Sequence, residues 1–544
     1  MIEADVVVIG SGAAGLAAAL AAADGGAEVV VLEASSRWGG STAVSGGQVW
    51  APANHLMSEA DSVEEALTYC RAAAPGRDED LVETFVRTVP EVVRFLEERS
   101  PIQFVSAPAY PDTFVELPGG KTSRHVEVAP LDIGDLGDLN ELVWPAPFFA
   151  PVLTNQEVLE HYLFAGGPPP MELIAQRMSA GAVTLGAGLI VGLLHGCRKA
   201  GVHLIRDCRV TELTRDTYGR VDGVRTDRAH RTVRAHCGVV LASGGFEHDP
   251  TLRTELLSGP LTHPVTPPIQ HGDGLRMAGQ VGAAMAYTGE YWSWPACQAP
   301  GRTWPDVAAT PQPQLTLPER SLPHVLWVNG AGRRFVNESS HNCAAAFAEI
   351  DPNTHGPRNL PAWAIGDAQF RAKYSVVGIP AGTPAPDWLI SADSLAELAK
   401  LIDVDPAALA QTITRFNRMA EAGHDDDFQR GRTYYEHAFG DPEAAHPNLG
   451  TVCEPPFFAV PVYPGAVGTK GGPRTDRRAR VLDWSGDPIP GLYAAGNAAA
   501  AVFGPGTFAG GLTIASALTW GWIAGRDLAA MCPTSRGCAG GSTT

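Results

Sequence analysis

The first segment of the chain alternates apolar runs with a glycine turn. The apolar run Asp5–Ile9 is followed by Gly10–Gly15 and by the alanine-rich segment Leu16–Ala23, whose residues favour a helix. A second apolar run covers Ala27–Glu33. The order of strand, glycine turn, helix and strand predicts one βαβ unit at the amino end.

Hydrophobic spacing predicts further elements along the chain. Residues 59–100 and 171–200 have helical spacing, and we expect 171–200 to form one long buried helix. Alternation over 202–213 predicts strands, and Gly219–Gly223 predicts a hairpin. The apolar segment Thr513–Met531 predicts a long helix near the carboxyl end.

Three regions lack such periodicity. Residues 105–170 are rich in Pro and Gly, and we expect irregular loops over a site. Residues 290–455 contain more Pro and aromatic residues, with several short helical patterns. Residues 532–544 are small and polar, so we expect a flexible tail there.

Composition and charge narrow the class of protein. The chain has 544 residues, of which 45% are apolar and 18% charged, so it can bury several domain cores. The formal net charge is −19 and no run of Lys or Arg offsets it. An acidic surface repels a phosphate backbone, so we exclude nucleic acid as a partner.

The cysteines and the first residues of the chain indicate where in the cell the protein is expected. The nine Cys are scattered and none forms a Cys-X-X-Cys pair, which predicts neither structural zinc nor a disulfide framework and fits a reducing cytosol. The start Met1–Asp5 is acidic, unlike a signal peptide. The uncharged segment Met178–Cys197 is interrupted by several glycines and His195. We expect a cytoplasmic protein with no metal site and no transmembrane segment.

The glycine turn predicts a dinucleotide site. Gly10 allows a tight turn, Gly12 leaves room for a pyrophosphate, and Gly15 lets the helix pack on the strand. Glu33 ends the second strand, where a carboxylate accepts hydrogen bonds from a ribose. NAD and FAD share this turn. The segments Gly39–Thr42 and Gly510–Leu518 favour FAD, because a glycine turn with hydroxyl residues and a helix amino end suit a flavin.

These motifs together resemble the fumarate reductase/succinate dehydrogenase flavoprotein superfamily. The segments that carry the resemblance are Gly10–Gly15, Glu33, Gly39–Thr42, Ala242–Phe246 and Gly272–Gly274. The segments that resemble its 3-ketosteroid dehydrogenase branch in particular are Tyr110–Gly120, Gly332–Glu338, Gly468–Pro473 and Gly491–Asn497.

The resemblance implies an α/β fold with two domains. A Rossmann-like FAD-binding domain of the GR2 type covers 1–288 and 458–531, and an α+β substrate domain is inserted at 289–457. We expect non-covalent FAD, because no His lies between Arg37 and Gly47. The expected FAD-binding residues are Gly10, Gly12, Ala13, Ala14, Gly15, Glu33, Ala34, Gly39, Gly40, Ser41, Thr42, Gly46, Gly47, Val210, Ser243, Gly244, Gly272, Asp273, Gly496, Asn497, Gly511, Leu512, Thr513 and Ile514.

The resemblance also implies an activity, which is to introduce a C=C bond beside the ketone of a steroid or similar polycyclic substrate. In this branch a tyrosine and a backbone N–H hold the carbonyl, a second tyrosine removes the neighbouring proton, and hydride passes to the flavin. At the matching positions this chain has Phe508 and Ser339–Asn342, and no tyrosine. The residues left for these roles are Tyr110, His341, Asn342, Phe508, Gly511 and Tyr463.

Other interpretations stay open. His341, Tyr110 and Tyr463 also fit purely structural roles, and Lys470 fits either a place near the flavin or the surface. The chain also fits an ene reductase or fumarate-type reductase for a different unsaturated substrate, or a catalytically silent flavin-binding protein. As partners we expect a small apolar ketone and an unidentified electron acceptor.

Overall fold

The strands and helices are those of a computed structural model that describes residues 2–134, 137–146, 152–228, 232–307, 310–316 and 318–532. The strands are β1 (Ile2–Ile9), β2 (Val29–Leu32), β3 (Val49–Trp50), β4 (Phe104–Ser106), β5 (His125–Val128), β6 (Leu131–Asp132), β7 (Ala182–Val183), β8 (His203–Ile205), β9 (Val210–Arg215), β10 (Val221–Thr226), β11 (Thr232–Leu241), β12 (His263–Pro264), β13 (Met285–Ala286), β14 (Tyr291–Cys297), β15 (Gln314–Leu315), β16 (Val325–Asn329), β17 (Ala362–Gly366), β18 (Ile390–Ala392), β19 (Phe457–Thr469), β20 (Gly472–Pro473), β21 (Arg480–Leu482) and β22 (Pro488–Ala494).

The helices are spread between these strands along the chain. They are α1 (Ala13–Asp24), α2 (Gly40–Ala43), α3 (Val63–Ala73), α4 (Glu79–Arg99), α5 (Gly137–Asn140), α6 (Asn155–Glu160), α7 (Met171–Ser179), α8 (Leu185–Lys199), α9 (Pro250–Leu256), α10 (Asp273–Gln280), α11 (Pro318–Ser321), α12 (Ala368–Lys373), α13 (Leu395–Leu401), α14 (Pro406–Ala422), α15 (Tyr434–Ala438) and α16 (Leu512–Met531). Short 3₁₀ helices cover Leu163–Ala165, Cys343–Ala348 and Gly496–Ala498.

The first sheet contains the amino-terminal βαβ unit. Its main strand order is β21-β22-β11-β1-β2-β8, and β1 pairs in parallel with both β11 and β2. The hairpin β9–β10 adds to β11, as the Gly219–Gly223 turn predicts. Val6–Ile9 of β1 and the whole of β2 are buried on both faces, which explains their continuous apolar sequence.

The last helix returns to this sheet and packs on α1. Gly521 and Gly525 make the contact possible, because a Cβ at either position would lie 2.2 Å from a carbonyl oxygen of α1. The alanine-rich face of α1 meets this glycine-containing face of α16. The predicted α/β fold is therefore confirmed, and helix α16 matches the predicted Thr513–Met531 within one residue.

A second sheet is centred on the long strand β19. The strand order is β15-β14-β19-β17-β16, and β14 and β17 pair antiparallel with β19. Helices α13 and α14 pack with this sheet over a core of their own. Most of this sheet lies between residues 289 and 469. The domain boundaries 1–288, 289–457 and 458–531 remain predictions.

Four expectations need correction. Residues 171–200 form two helices, because Gly181 adopts a left-handed φ of +67° and β7 follows it; α7 contains no buried residue. The described part of residues 105–170 contains β5, β6, α5, α6 and a 3₁₀ helix besides loops. Cys532 is not part of a free tail, since it forms a disulfide with Cys237, which is 295 residues away in the sequence. This bond also corrects the expectation that the scattered Cys form no disulfide, because packing brings two distant Cys together. The rest of the predicted tail, 533–544, lies outside the described residues.

Two negative findings apply to the part of the chain that the structure describes. No helix there is long and apolar enough to cross a membrane. No group of three or more His, Cys, Asp and Glu side chains there is arranged to hold a metal ion.

Candidate active site

One continuous cavity runs along the carboxyl ends of the parallel strands. Gly10 follows β1, Glu33 follows β2, Ser243 follows β11 and Gly496 follows β22, and all four line the cavity. Parallel α/β sheets bind ligands at this edge. At its other end the cavity is lined by Tyr110, Phe164, Trp294, Leu315, His341 and Phe439.

The first glycine turn fits a pyrophosphate. Gly12 is the N-cap of α1 and has no side chain to cap that helix end, although the Ala13 N–H donates to Thr42 Oγ1 at 3.2 Å. A Cβ at Gly12 would meet only Thr42 Oγ1 at 3.7 Å and the Gly39 carbonyl at 3.8 Å, so the protein itself has room for one. The missing side chain therefore clears space in the cavity, where the helix end attracts an anion.

Gly10 and Gly15 have a different role. A Cβ at Gly10 would lie 2.4 Å from the Ala242 carbonyl oxygen, and one at Gly15 would lie 2.0 Å from the Gly10 carbonyl oxygen. Gly10 also has a φ of +104°, which disfavours other residues. These two glycines shape the turn, and Gly15 does not line the cavity.

Glu33 is buried beside the turn. One of its carboxylate oxygens accepts hydrogen bonds from the Ser11 N–H at 3.0 Å and the Ser11 hydroxyl at 2.6 Å, and the other accepts from the Ser35 N–H at 2.9 Å. Burial raises the pKa of Glu33, and these hydrogen bonds oppose the rise. Ser11 also accepts from the Gly39 N–H, so it joins both glycine turns.

The predicted FAD residues mostly gather at this cavity. Those that line it are Gly10, Gly12, Ala13, Ala14, Glu33, Ala34, Gly40, Ser41, Thr42, Gly46, Gly47, Val210, Ser243, Gly244, Asp273, Gly496, Asn497, Gly511, Thr513 and Ile514. Those that do not are Gly15, Gly39, Gly272 and Leu512. Two further cavity residues, Ser11 and Gln270, were not predicted from the sequence. Gln270 donates to the Ser41 hydroxyl at 3.0 Å. Neither residue belongs to a fixed position of a glycine motif, so spacing does not mark it.

A third glycine turn covers residues 504–511, and hydrogen bonds to its carbonyl groups fix it in place. Pro505 O accepts from Lys470, Thr507 O from Asn342 at 2.8 Å, Phe508 O from Tyr69 at 2.7 Å, and Gly510 O from His125 at 2.9 Å. Gly511 follows as the N-cap of α16, with a φ of +68°. Because the carbonyls face the protein, the Gly511 N–H stays available at the cavity.

Aromatic and polar side chains meet at the other end of the cavity. Tyr110 interacts with Tyr435 through their hydroxyl groups, and the Tyr435 hydroxyl lies 2.9 Å from His341 Nδ1. Arg320 is buried and interacts with the Tyr435 hydroxyl, and its guanidinium lies 4.8 Å from the centre of the Trp294 ring. Residues from distant segments thus form one cluster.

Arg320 is a buried charge with neutral partners. Its Nη1 donates to the carbonyls of residues 338–340, and its Nε has no hydrogen-bond partner. Within the described residues no carboxylate lies within ion-pair distance of it, whereas the buried Arg334 pairs with Glu338 at 2.9 Å. A lone buried cation favours a negative charge nearby.

Burial sets the protonation of this cluster. It raises the pKa of Tyr110 well above the usual value and also raises the pKa of Tyr435, while Arg320 opposes both shifts. It lowers the pKa of His341 to about 3, and Arg320 adds to that effect. His341 is therefore a neutral imidazole at neutral pH, and the two phenols are protonated in the absence of a further charge.

Three residues predicted for catalysis lie elsewhere. Phe508 is fully buried in an aromatic core, with its ring 5.5 Å from Trp50 and 5.6 Å from Tyr69. Tyr463 stacks on His263 at 3.8 Å, and Asn342 holds the 504–511 turn. None of the three lines the cavity. Tyr435, which does join the cluster, was missed because nothing in its local sequence marks it.

The chain matches known proteins over nearly its full length. Residues 5–514 match the family described as FAD binding domain. The chain belongs to this FAD-binding family. This flavoprotein is 38% identical to 4-oxocyclohexanecarboxylate 2-dehydrogenase of Sinomonas cyclohexanicum, over 96% of this chain and 92% of that one. It is 36% identical to 3-oxosteroid 1-dehydrogenase of Mycolicibacterium smegmatis, over 98% of each chain.

A solved structure agrees with these matches. The 3-ketosteroid delta1-dehydrogenase of Sterolibacterium denitrificans, in complex with 1,4-androstadiene-3,17-dione, superposes with a TM-score of 0.91. The two sequences are 32% identical, and the match covers 97% of this chain and 100% of that one. The resemblance to the 3-ketosteroid dehydrogenase branch is confirmed, and the flavoprotein is an FAD-dependent oxidoreductase acting on CH–CH groups.

Proposed function

We propose that this flavoprotein desaturates a cyclic ketone, with a 3-ketosteroid or a similar polycyclic ketone as substrate. The observation that carries the proposal is that the Tyr110 phenol and Gly511 line the same cavity as the predicted FAD residues. The reaction removes a proton from the carbon beside the carbonyl and a hydride from the next carbon. Bound FAD supplies the hydride acceptor. The named activities of the relatives agree with this proposal.

In this proposal the Gly511 N–H holds the ketone oxygen. It lies at the amino end of α16, where the unpaired N–H groups and the helix dipole stabilise negative charge. Removing the neighbouring proton turns the ketone into an enolate, whose charge develops on that oxygen. A donor fixed in place before the reaction lowers the barrier to this step.

Tyr110 and Tyr435 together are the proposed base. The base is the phenolate form of Tyr110, present once the pair has lost one of its two phenol protons to solvent; its oxygen, in the cavity, takes the proton from the substrate carbon. Before that transfer the Tyr435 hydroxyl and His341 stabilise the phenolate. Arg320 supplies the positive field that a phenolate or an enolate requires in a buried site. The protons belong to the pair, so the pair titrates as a unit.

Anaerobic flavin bleaching tests the proposal. Purified protein is mixed with a saturated 3-ketosteroid, and the visible flavin absorbance and the product mass are followed. We expect bleaching and a product lighter by two hydrogens. If no cyclic ketone bleaches the flavin but an enone or fumarate reoxidises the chemically reduced protein, the enzyme is a reductase. If neither occurs, the protein is catalytically silent.

A second candidate substrate is a small cyclic ketone that carries a carboxylate. The unpaired Arg320 beside the cavity favours an anionic substrate, and the relative from Sinomonas cyclohexanicum is named for an oxocyclohexanecarboxylate. The same bleaching assay with 4-oxocyclohexanecarboxylate and its methyl ester separates the two candidates. Faster bleaching by the acid than by both the ester and the steroid favours the small keto acid.

We also propose that FAD is bound without a covalent link and that the protein is cytoplasmic. No His lies between Arg37 and Gly47, which supports the non-covalent link. Acid precipitation should release all the yellow colour into the supernatant, and fractionation of the producing cells should place the protein with soluble cytoplasmic markers.

A further inference from the structure

The peptide that joins Gly510 to Gly511 has a buried partner on its carbonyl side. The His125 Nε2 lies 2.9 Å from the Gly510 carbonyl oxygen. A carbonyl oxygen only accepts, so Nε2 carries the hydrogen in this bond. His125 is fully buried, and burial lowers its pKa to about 4. The ring is therefore neutral near neutral pH and donates through Nε2, while its Nδ1 has no hydrogen-bond partner among the described residues.

The other side of the same peptide faces away from His125. A trans peptide is planar, with its C=O and N–H on opposite sides, and the cis peptides of the described chain lie elsewhere. The Gly511 N–H thus points opposite to the bond that His125 makes. No hydrogen bond within the described residues uses this N–H, and Gly511 lines the cavity.

His125 is itself held firmly. It begins β5, where it pairs with Trp50 of β3, and its ring lies 5.1 Å from the Tyr110 ring. Gly510 packs so closely on Tyr110 that a Cβ there would lie 2.5 Å from the phenol ring. The donor, the peptide and the phenol are therefore arranged in one rigid unit.

We propose that His125 is a positioning residue for the reaction, acting through the Gly510–Gly511 peptide on the oxygen of the substrate. This proposal rests on the proposed function. By donating to the Gly510 carbonyl, His125 fixes the direction of the Gly511 N–H and polarises it, because hydrogen bonds in a chain strengthen one another. The effect grows as the ketone becomes an enolate, since negative charge then gathers on the oxygen that accepts from Gly511.

The test compares the native holoprotein with His125→Leu, which has no donor, and His125→Gln, whose amide is a donor. The probe is a phenol that competes with the ketone, because its phenolate resembles the enolate. Its ionisation in the bound state is read from absorbance as the pH is raised. The limiting rate of flavin reduction and the KM are measured separately with the ketone.

We expect His125→Leu to lower the limiting rate roughly three- to tenfold, with little change in KM. The bound phenol should ionise at a pH higher by roughly 0.5 to 1. His125→Gln should keep both the limiting rate and the phenol ionisation close to those of the native protein. FAD content should stay unchanged in both variants. His324→Leu, which removes a histidine bond to the Thr451 carbonyl outside the cavity, is the control for a general loss of stability.

Several outcomes would overturn the proposal. One is an unchanged phenol ionisation and limiting rate in His125→Leu, and another is a change that His125→Gln does not reverse. If His125→Leu does not fold, a structure of the native protein with the phenol decides, since a phenol oxygen out of hydrogen-bond reach of Gly511 contradicts the proposal. If the phenol responds as expected but no cyclic ketone bleaches the flavin, the proposed substrate class fails while the role of the peptide stands.

Discussion

The two ends of the cavity are built in different ways. At the nucleotide end, backbone N–H groups and glycines from short local turns face the cavity, with Glu33 anchored by Ser11. At the substrate end, the surface is made of side chains from segments near residues 110, 320, 341 and 435. The first end depends on local backbone shape, and the second depends on how distant segments pack.

The difference has a functional consequence. The dinucleotide end keeps its shape as long as a few glycines remain, so it can serve the same cofactor in proteins with different substrates. At the substrate end the phenols of Tyr110 and Tyr435 come from segments more than 300 residues apart, so their positions depend on tertiary packing. In the proposed function, the backbone turns hold the cofactor and the cluster around Tyr110 selects the substrate.

The largest expected effect is at the nucleotide end. Gly12→Val adds a side chain that the protein can accommodate but that fills the space beside the amino end of α1. We expect a folded, colourless protein, because the pyrophosphate is excluded. FAD released by acid is measured per chain. Gly356→Val, at another glycine where a Cβ would meet no close neighbour, should remain yellow. Full FAD occupancy in Gly12→Val would contradict the assignment of this turn.

The next effect is at the substrate end. Tyr110→Phe and Tyr435→Phe each remove one hydroxyl from the proposed base, and we expect flavin reduction to slow by about 10²–10⁴. FAD content should not change. Tyr463→Phe removes the same atom from a ring outside the cavity and should leave the rate as it is. Stopped-flow bleaching measures all three. An equal rate in Tyr110→Phe and the native protein would remove Tyr110 from the chemistry.

The sequence predicted the nucleotide end of the cavity better than the substrate end. The turn Gly10–Gly15 and the carboxylate of Glu33 could be predicted, because the local geometry of a βαβ unit fixes the spacing of these residues in the sequence. Phe508 was predicted to face the substrate, but its ring lies in the core under the turn. The direction of a side chain in a glycine-rich turn depends on the backbone dihedral angles of that turn, and spacing alone does not reveal them. The disulfide of Cys237 was likewise invisible, because its partner is 295 residues away.

A smaller effect concerns the charge behind the base. Arg320 opposes the rise that burial causes in the pKa of Tyr110 and Tyr435, so Arg320→Met should raise the pKa of the pair further. The rising limb of the rate against pH should then move to higher pH. If that limb moves by about one pH unit, the rate near neutral pH should fall about tenfold. Arg320→Lys keeps the charge and should move the profile less. A profile that does not move in Arg320→Met would show that the base does not sense this charge.

The smallest expected effect concerns Lys470, which holds the 504–511 turn between the nucleotide end and the substrate end of the cavity. Lys470 is buried, donates to the carbonyls of Pro505 and Gly506, and lies 4.2 Å from the centre of the Trp292 ring. Burial lowers its pKa to about 7, and the charge of Glu290 only partly offsets this. An unfolded chain, by contrast, keeps a Lys protonated up to a pH of roughly 10.

The sign of the pH dependence follows from this difference. Between pH 7 and about 10 the unfolded chain binds more protons at Lys470 than the folded protein does, so stability rises with pH in that window. The free energy of unfolding of the native protein relative to Lys470→Met should therefore increase by up to about 2 kcal/mol from pH 7 to pH 9. Urea unfolding at both pH values measures it. Lys373 pairs with Asp441 and its pKa is raised, so the same comparison with Lys373→Met should not change over this range. A constant difference for Lys470→Met would mean that Lys470 stays protonated in the fold, and that the turn is held by a full charge.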